Sequence, residues 1–358
     1  MASAFFLEDS ASTNLLIKLP GTRCNLTCDY CYEHMKGITD VPRGFVMPSD
    51  VVDFVRKSDM PINIVFHGGE PLLASVDYFS AMLSALRPLK EKIKAFQIQT
   101  NGTLINQRYI DLFWKKFADL SIEISVSLDG NAKMNSLRKS CGHETFSQVV
   151  KAFDLLNQNG ISAGVLSVIH KDTLSNAQEY IEFIASIPNV RFVKLNPLHL
   201  VDENGFLQKN SISPTEFSKF VIDVFSHYLN KQLFEKFPIE PCLSILQVLS
   251  GVDTHYCNFS KRKCHNFICL YPDTTMSICD SLPYSDFLIS SMQERHKPLQ
   301  KVKGLIEACS NCGIKNFCKG GCIGIRYLFR QSPELQEEYC KSKKMLYNYF
   351  SQIVREVN

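Results

Sequence analysis

Through roughly its first 200 residues the chain alternates short, β-rich apolar runs with longer stretches whose apolar residues recur at helical spacing. That alternation predicts repeated βα units and a parallel sheet. Six strands are expected, at Asn14–Leu19, Ile62–Phe66, Ala95–Thr100, Ile122–Leu128, Ser162–Ile169 and Arg191–Asn196. Helices are expected between them near 48–58, 77–90, 106–118, 144–159 and 174–186. Cap chemistry supports two of the starts: Asn106 precedes one helix, and Pro48, Ser49 and Asp50 open another. A further helix runs from Ser213-Pro214 to about Leu229, and the Phe- and Pro-containing stretch Phe237–Pro241 reads as a junction. Beyond it helical periodicity weakens and cysteines become dense, until Leu335–Val357 again reads as a helix. Two units follow, 1–236 and 237–358, with no internal repeat between them.

Composition narrows the function classes. A chain of 358 residues with 45% apolar content can bury a large core without disulfide staples. Lys+Arg of 39 against Asp+Glu of 36 leaves a formal charge of +3, too balanced to argue for a nucleic-acid partner. The opening MASAFFLEDS puts acidic residues directly after a short apolar patch, and no later stretch approaches the roughly 18 apolar residues of a membrane span. Neither a signal peptide nor a membrane is expected, and a cytoplasmic location is. The 14 cysteines change the picture. Cytosolic thiols stay reduced, so metal or cluster ligation becomes the leading reading.

Cys24, Cys28 and Cys31 form C-x3-C-x2-C immediately after the first strand. Three thiolates from one tight loop can hold three irons of a [4Fe–4S] cube and leave the fourth iron open to a ligand. A zinc site lacking its fourth ligand is the alternative on spacing alone. Phe66-His67-Gly68-Gly69-Glu70-Pro71 follows the second strand, Gln99-Thr100-Asn101-Gly102 ends the third, and Ser127-Leu128-Asp129-Gly130 ends the fourth. In a (β/α) barrel, functional groups gather at strand C-termini.

At these four successive places the sequence resembles the radical S-adenosylmethionine (SAM) superfamily. The resemblance implies an α/β fold with a partial (β/α)6, TIM-like barrel. It implies that SAM binds the open iron, that Gly68, Gly69 and Glu70 receive its amino group, and that Thr100, Asn101, Ser127 and Asp129 lie near its ribose and carboxylate. Arg138, in SLRKSCG, stands where relatives place an arginine near the SAM carboxylate; an exposed surface arginine is the alternative. Leu195, closing the sixth strand before Asn196 and Pro197, stands where adenine is contacted, or is simply core. Tyr30 and His67 either face substrate or pack against the cluster.

Near the carboxy terminus Cys309, Cys312, Cys318 and Cys322 give C-x2-C-x5-C-x3-C, followed by Cys340; Cys257, Cys264 and Cys279 stand upstream. The spacing resembles the SPASM domain, a cysteine-rich auxiliary module of the same superfamily. The resemblance implies two further [4Fe–4S] clusters, one on Cys257, Cys264, Cys279 and Cys322 and the other on Cys309, Cys312, Cys318 and Cys340. Two zinc sites are the alternative. Cys269 reads as strand core, or as a replacement for Cys257; Cys141 and Cys242 read as ordinary thiols. Relatives have Asp-Gly in the turn before the third ligand, whereas Asp273-Thr274-Thr275 stands here, and a different turn geometry is expected.

The layout most resembles the anaerobic sulfatase-maturing enzymes, in which an Asp directly after the third auxiliary ligand takes a proton from the substrate; Cys279-Asp280 preserves the pair, and Asp280 is either such a general base or a salt-bridge partner. The architecture is shared by maturases of ribosomally made peptides. The expected function is modification of a peptide or protein side chain by hydrogen abstraction and net two-electron oxidation. A crosslink in a precursor peptide is placed first, and formylglycine formation from Cys or Ser of a sulfatase is the alternative. An electron carrier with vestigial SAM motifs is the competing class. A reductant such as flavodoxin or ferredoxin is implied.

Overall fold

The computed structural model describes residues 12–35, 44–254, 256–260, 264 and 267–357, so the MASAFFLEDS segment lies outside the described residues. Six parallel strands form the centre of the sheet in sequence order: β1 (Thr13–Lys18), β2 (Ile62–His67), β3 (Ile93–Thr100), β4 (Glu123–Ser127), β5 (Ala163–Ile169) and β6 (Val190–Pro197). Their places match the six apolar runs within a few residues. The crossovers carry helices α1 (Pro48–Lys57), α2 (Val76–Leu86), α3 (Phe146–Gln158) and α4 (Ala177–Ser186), with α5 (Pro214–Asn230) following β6.

Two helices depart from the sequence pattern for local reasons. The stretch 77–90 leaves α geometry after Leu86 and tightens to a 3-10 helix over Arg87–Lys92. Pro88 has no N–H for the preceding turn. The stretch 106–118 begins with one α turn, Gln107–Ile110, capped by the Asn106 side chain, and continues as a π-helix over Asp111–Lys116.

Beyond α5 the chain does not leave the sheet. β7 (Ile239–Glu240), inside the stretch read as a junction, pairs parallel with β6, and α6 (Cys242–Leu249) follows. β8 (Phe267–Leu270) pairs parallel with β1, and β9 (Met276–Ser277) and β10 (Leu288–Ile289) extend that edge antiparallel. The turn between β8 and β9 holds a left-handed residue although it lacks glycine. Thr274 takes φ 69°, and the Asp273 carboxylate accepts hydrogen bonds from the Thr275 N–H (3.0 Å) and hydroxyl (2.6 Å). The tail forms the long helix α7 (Pro333–Val357), which returns to α5: Phe350 packs on Phe225, and Glu338 accepts from Ser213 and Thr215.

Along β2 to β6 fully buried and half-buried residues alternate, as a sheet with two different faces requires. The buried row, including Ile64, Phe66, Ile98, Val126, Val193 and Leu195, packs in the hydrophobic clusters that include the helices. The opposite row is largely polar and carries Asn63, Gln97, Gln99, Ser125, Ser127, Lys194 and Asn196. A polar inner face with a covered apolar outer face gives the sheet a lumen suited to a polar ligand.

Candidate active site

The loop bearing Cys24, Cys28 and Cys31 is held at the strand ends by backbone contacts. Gly69 N–H donates to Gly21 O (2.9 Å) and Glu70 N–H to Arg23 O (2.9 Å). A Cβ on Gly69 would lie 1.9 Å from Arg23 O, so no other residue permits this approach. On the other side Thr27 and Asp29 N–H groups donate to Lys139 and Leu137 carbonyls, at 2.7 and 3.0 Å. From the end of β3, Asn101 Nδ2 reaches Asn25 Oδ1 (2.9 Å) and Cys24 Sγ (3.6 Å). All three thiols are free and half-buried. Burial pushes the Cys24 thiol up to about 11 and raises that of Cys28, partly countered by the Leu26 N–H and Arg138 respectively. Three half-buried sulfur donors on one loop fit an iron centre by donor chemistry.

Glu70 is fully buried, and its carboxylate accepts from Thr100 Oγ (2.7 Å), Asn101 N–H (2.7 Å) and Leu72 N–H (2.9 Å), tying the Gly-Gly-Glu turn to β3. Burial raises its pKa to about 7 against these three bonds. Asp129 is also fully buried; it accepts from Val168 N–H (2.8 Å) and from the Tyr30 hydroxyl. Arg138 Nη1 donates to that same hydroxyl at 2.9 Å, while its Nε is buried with no partner. Tyr30 thus links the cysteine loop to the ends of β4 and its following segment. Ser127 stands on the inner row of β4. Leu195 stands on the outer row, fully buried beside Val193 in the core, because strand parity turns it away from the lumen; the inner residue at the end of β6 is Asn196.

The structure adds a charged centre that no motif announced. Lys18, the last residue of β1, is fully buried and pairs with Asp280 Oδ1 at 2.6 Å and with Glu33 of the cysteine loop. Its Nζ is 3.4 Å from His67 Nδ1, and the Tyr32 hydroxyl donates to the other Asp280 oxygen. Burial opposes the ammonium charge, but Asp280 and Glu33 more than offset it and hold Lys18 well above its ordinary pKa. Asp280 follows Cys279, itself at φ 55°. A lone lysine ending an apolar strand was the sequence signal for this centre.

Neighbouring sulfurs act on two of the carboxy-terminal cysteines. Cys264 is hydrogen-bonded with Cys279, and the charges of Cys279, Cys322 and Cys257 together with burial raise its pKa well above the usual thiol value. Burial also raises Cys309, with Arg326 opposing and Cys318, Cys340 and Cys312 adding. Cys269 is fully buried in a small apolar cluster with Leu16 and Tyr271. Cys242 is buried and Cys141 exposed. Soft sulfur donors in this number suit iron by donor chemistry.

Residues 19–184 match the radical SAM superfamily. The chain carries a radical SAM domain and is a radical SAM enzyme, a class that implies SAM and a [4Fe–4S] cluster. Within that class its relatives are specific. The cysteine-type anaerobic sulfatase-maturating enzyme of Clostridium perfringens (strain 13 / Type A) is 24% identical, over 96% of this chain and 98% of that protein. The serine-type enzyme of Klebsiella aerogenes is 25% identical, over 86% and 79%. The solved structure of anSMEcpe with bound AdoMet and Cp18Cys peptide superposes with TM-score 0.78 at 24% identity, covering 96% of this chain and 98% of that one. Streptococcus suis SuiB bound to S-adenosylmethionine superposes with TM-score 0.60 at 16% identity, covering 93% and 77%. These matches establish a partial (β/α)6 barrel with a cysteine-rich carboxy-terminal part. No helix among the described residues is long and apolar enough to cross a membrane.

Proposed function

We propose that this enzyme modifies a side chain of a peptide or protein by hydrogen abstraction and net two-electron oxidation, using three [4Fe–4S] clusters. The observation that carries the reading is Asp280: its carboxylate is bound by Lys18 of the barrel and Tyr32 of the cysteine loop, directly after Cys279. A candidate proton acceptor, the SAM-activating loop and an auxiliary cysteine group therefore meet at one point. Cys24, Cys28 and Cys31 would hold the first cluster; Cys257, Cys264, Cys279 and Cys322 the second; Cys309, Cys312, Cys318 and Cys340 the third. When bound, the first cluster and SAM supply a 5′-deoxyadenosyl radical that takes a hydrogen atom from the substrate.

The chain's own residues bind and orient. The amide N–H groups of Gly69 and Glu70 are committed to the cysteine loop, so this turn offers an ammonium carbonyl oxygens and the Glu70 carboxylate. Arg138, with its buried unpartnered Nε, suits the SAM carboxylate. Thr100, Asn101, Ser127 and Asp129 frame the ribose side. Asp280 accepts the proton of a substrate thiol or hydroxyl.

Between the two oxidations, alignment to a sulfatase-maturating enzyme along nearly the whole of both chains, at 24% identity, favours conversion of a Cys or Ser to formylglycine. Crosslinking of a precursor peptide is supported by SuiB, whose structure bound to the precursor peptide SuiA superposes with TM-score 0.59. A cytoplasmic setting with a flavodoxin or ferredoxin as reductant fits the reduced thiols. The test is incubation of the reconstituted enzyme with Cys- and Ser-containing peptides, followed by mass spectrometry and an aldehyde-specific probe. An aldehyde supports formylglycine; loss of two hydrogens without one supports the crosslink. Absence of 5′-deoxyadenosine with intact clusters overturns the enzymatic reading. Asp280→Asn is expected to leave SAM cleavage measurable and lower product formation about 10²- to 10⁴-fold; undiminished product would remove the base role.

A further inference from the structure

Arg326 lies in a short helix, Ile323–Leu328, and is only 4% exposed. Its Nε donates to Gly320 O (2.5 Å) and its Nη1 to Gln336 Oε1 (3.2 Å), while Gln336 Nε2 donates back to the Arg326 carbonyl (2.6 Å). The guanidinium plane is thereby fixed from two sides. Its remaining nitrogen, Nη2, stands 3.6 Å from Cys309 Sγ and 3.6 Å from Cys340 Sγ. One face lies over the Tyr339 ring, 5.3 Å from the centroid.

An arginine cannot shed its proton, and a buried charge needs a counter-charge. Among the described residues Arg326 has no carboxylate partner, and the groups within its reach that become anionic on binding iron are cysteine sulfurs. Both belong to one proposed set, Cys309, Cys312, Cys318 and Cys340. The buried Lys343, by contrast, acts on Cys318 of this set and on Cys322 and Cys257 of the other, and so does not discriminate between them.

We propose that Arg326 is a positioning residue whose two N–H···S hydrogen bonds raise the reduction potential of the cluster held by Cys309, Cys312, Cys318 and Cys340. The inference rests on the three-cluster reading above. A charge-assisted donor withdraws electron density from ligand sulfur and favours the more negative, reduced state, and hydrogen bonds to sulfur are one of the levers that set cluster potentials.

The test is an anaerobic redox titration of the reconstituted full chain followed by electron paramagnetic resonance, on wild type, Arg326→Gln and Arg326→Lys. Arg326→Gln is expected to retain about twelve irons. One of the three midpoints should fall by at least tenfold in the reduction equilibrium, about 59 mV for one electron, with the other two unmoved. Arg326→Lys, which keeps a point charge without the fork, should shift the same midpoint by less. Three unchanged midpoints in a fully loaded Arg326→Gln chain overturn the inference. If Arg326→Gln loses iron, Arg326→Lys decides: a lowered midpoint supports the inference and an unmoved one overturns it. A wild-type chain holding only about four irons instead overturns the three-cluster reading.

Discussion

At the scale of single residues, Glu70 is proposed to receive the amino group of SAM. Burial raises its pKa to about 7, so roughly half of it carries a proton at pH 7 in the ligand-free chain. An ammonium beside a carboxylate favours the charged form and pulls the pKa down. Binding the amino group of SAM should therefore release up to about half a proton per chain at pH 7. Affinity should rise as pH climbs through about 7 and level off above it. Calorimetry of the cluster-loaded chain in two buffers of different ionisation enthalpy measures the release. Heat independent of buffer would remove Glu70 from the SAM site. This residue was legible in the sequence because its neighbours Gly68 and Gly69 form a contiguous motif. Asp280 was legible through its adjacency to Cys279. Lys18 showed only as a lone lysine ending an apolar strand, and Arg326 not at all: their partners lie 15 to 262 positions away for the lysine and 6 to 17 for the arginine.

At the scale of elements, β1 bears the connection between the two ends of the chain. It supplies Lys18 to the centre of the site and offers its edge to β8. Replacing Lys18 by Met leaves the buried Glu33 and the half-buried Asp280 without their shared cation. Breaking a buried pair in this way costs about 3–5 kcal/mol. The Lys18→Met chain is expected to unfold at clearly lower urea concentration, and Lys18→Arg to recover part of the loss. Equal urea midpoints for wild type and Lys18→Met would show that the pair contributes nothing to stability. The strands themselves were legible because their apolar runs are short and bounded. The π-helical turn at Asp111–Lys116 and the 3-10 segment at Arg87–Lys92 were not, because a continuous 3.6-residue pattern conceals local changes of pitch.

At the scale of the molecule, the division at 237 read from the sequence marks a change of composition within a continuous sheet. β7 sits beside β6, β8 beside β1, and α7 packs back on α5. A fragment ending at residue 236 would leave β1 with an unpaired edge and α5 with an uncovered face. Such edges template aggregation. The fragment is expected to elute as aggregate in size-exclusion chromatography with light scattering and to hold at most about four irons after reconstitution. A folded monomer would show that the barrel does not require its carboxy-terminal cover.

The sequence by itself determined the succession of βα units, the strand ends that carry glycine and acidic motifs, and the cysteine spacings, because each depends on residues close together in the chain. Tertiary structure alone decided which inner row faces the lumen at the end of β6, putting Asn196 there and turning Leu195 into the core. It alone buried Cys269 beside Leu16, and it alone set Lys18 between two carboxylates and Arg326 against two sulfurs. The reason is physical: strand parity and long-range charge pairing are fixed by packing, and a buried charge finds its partner across the fold.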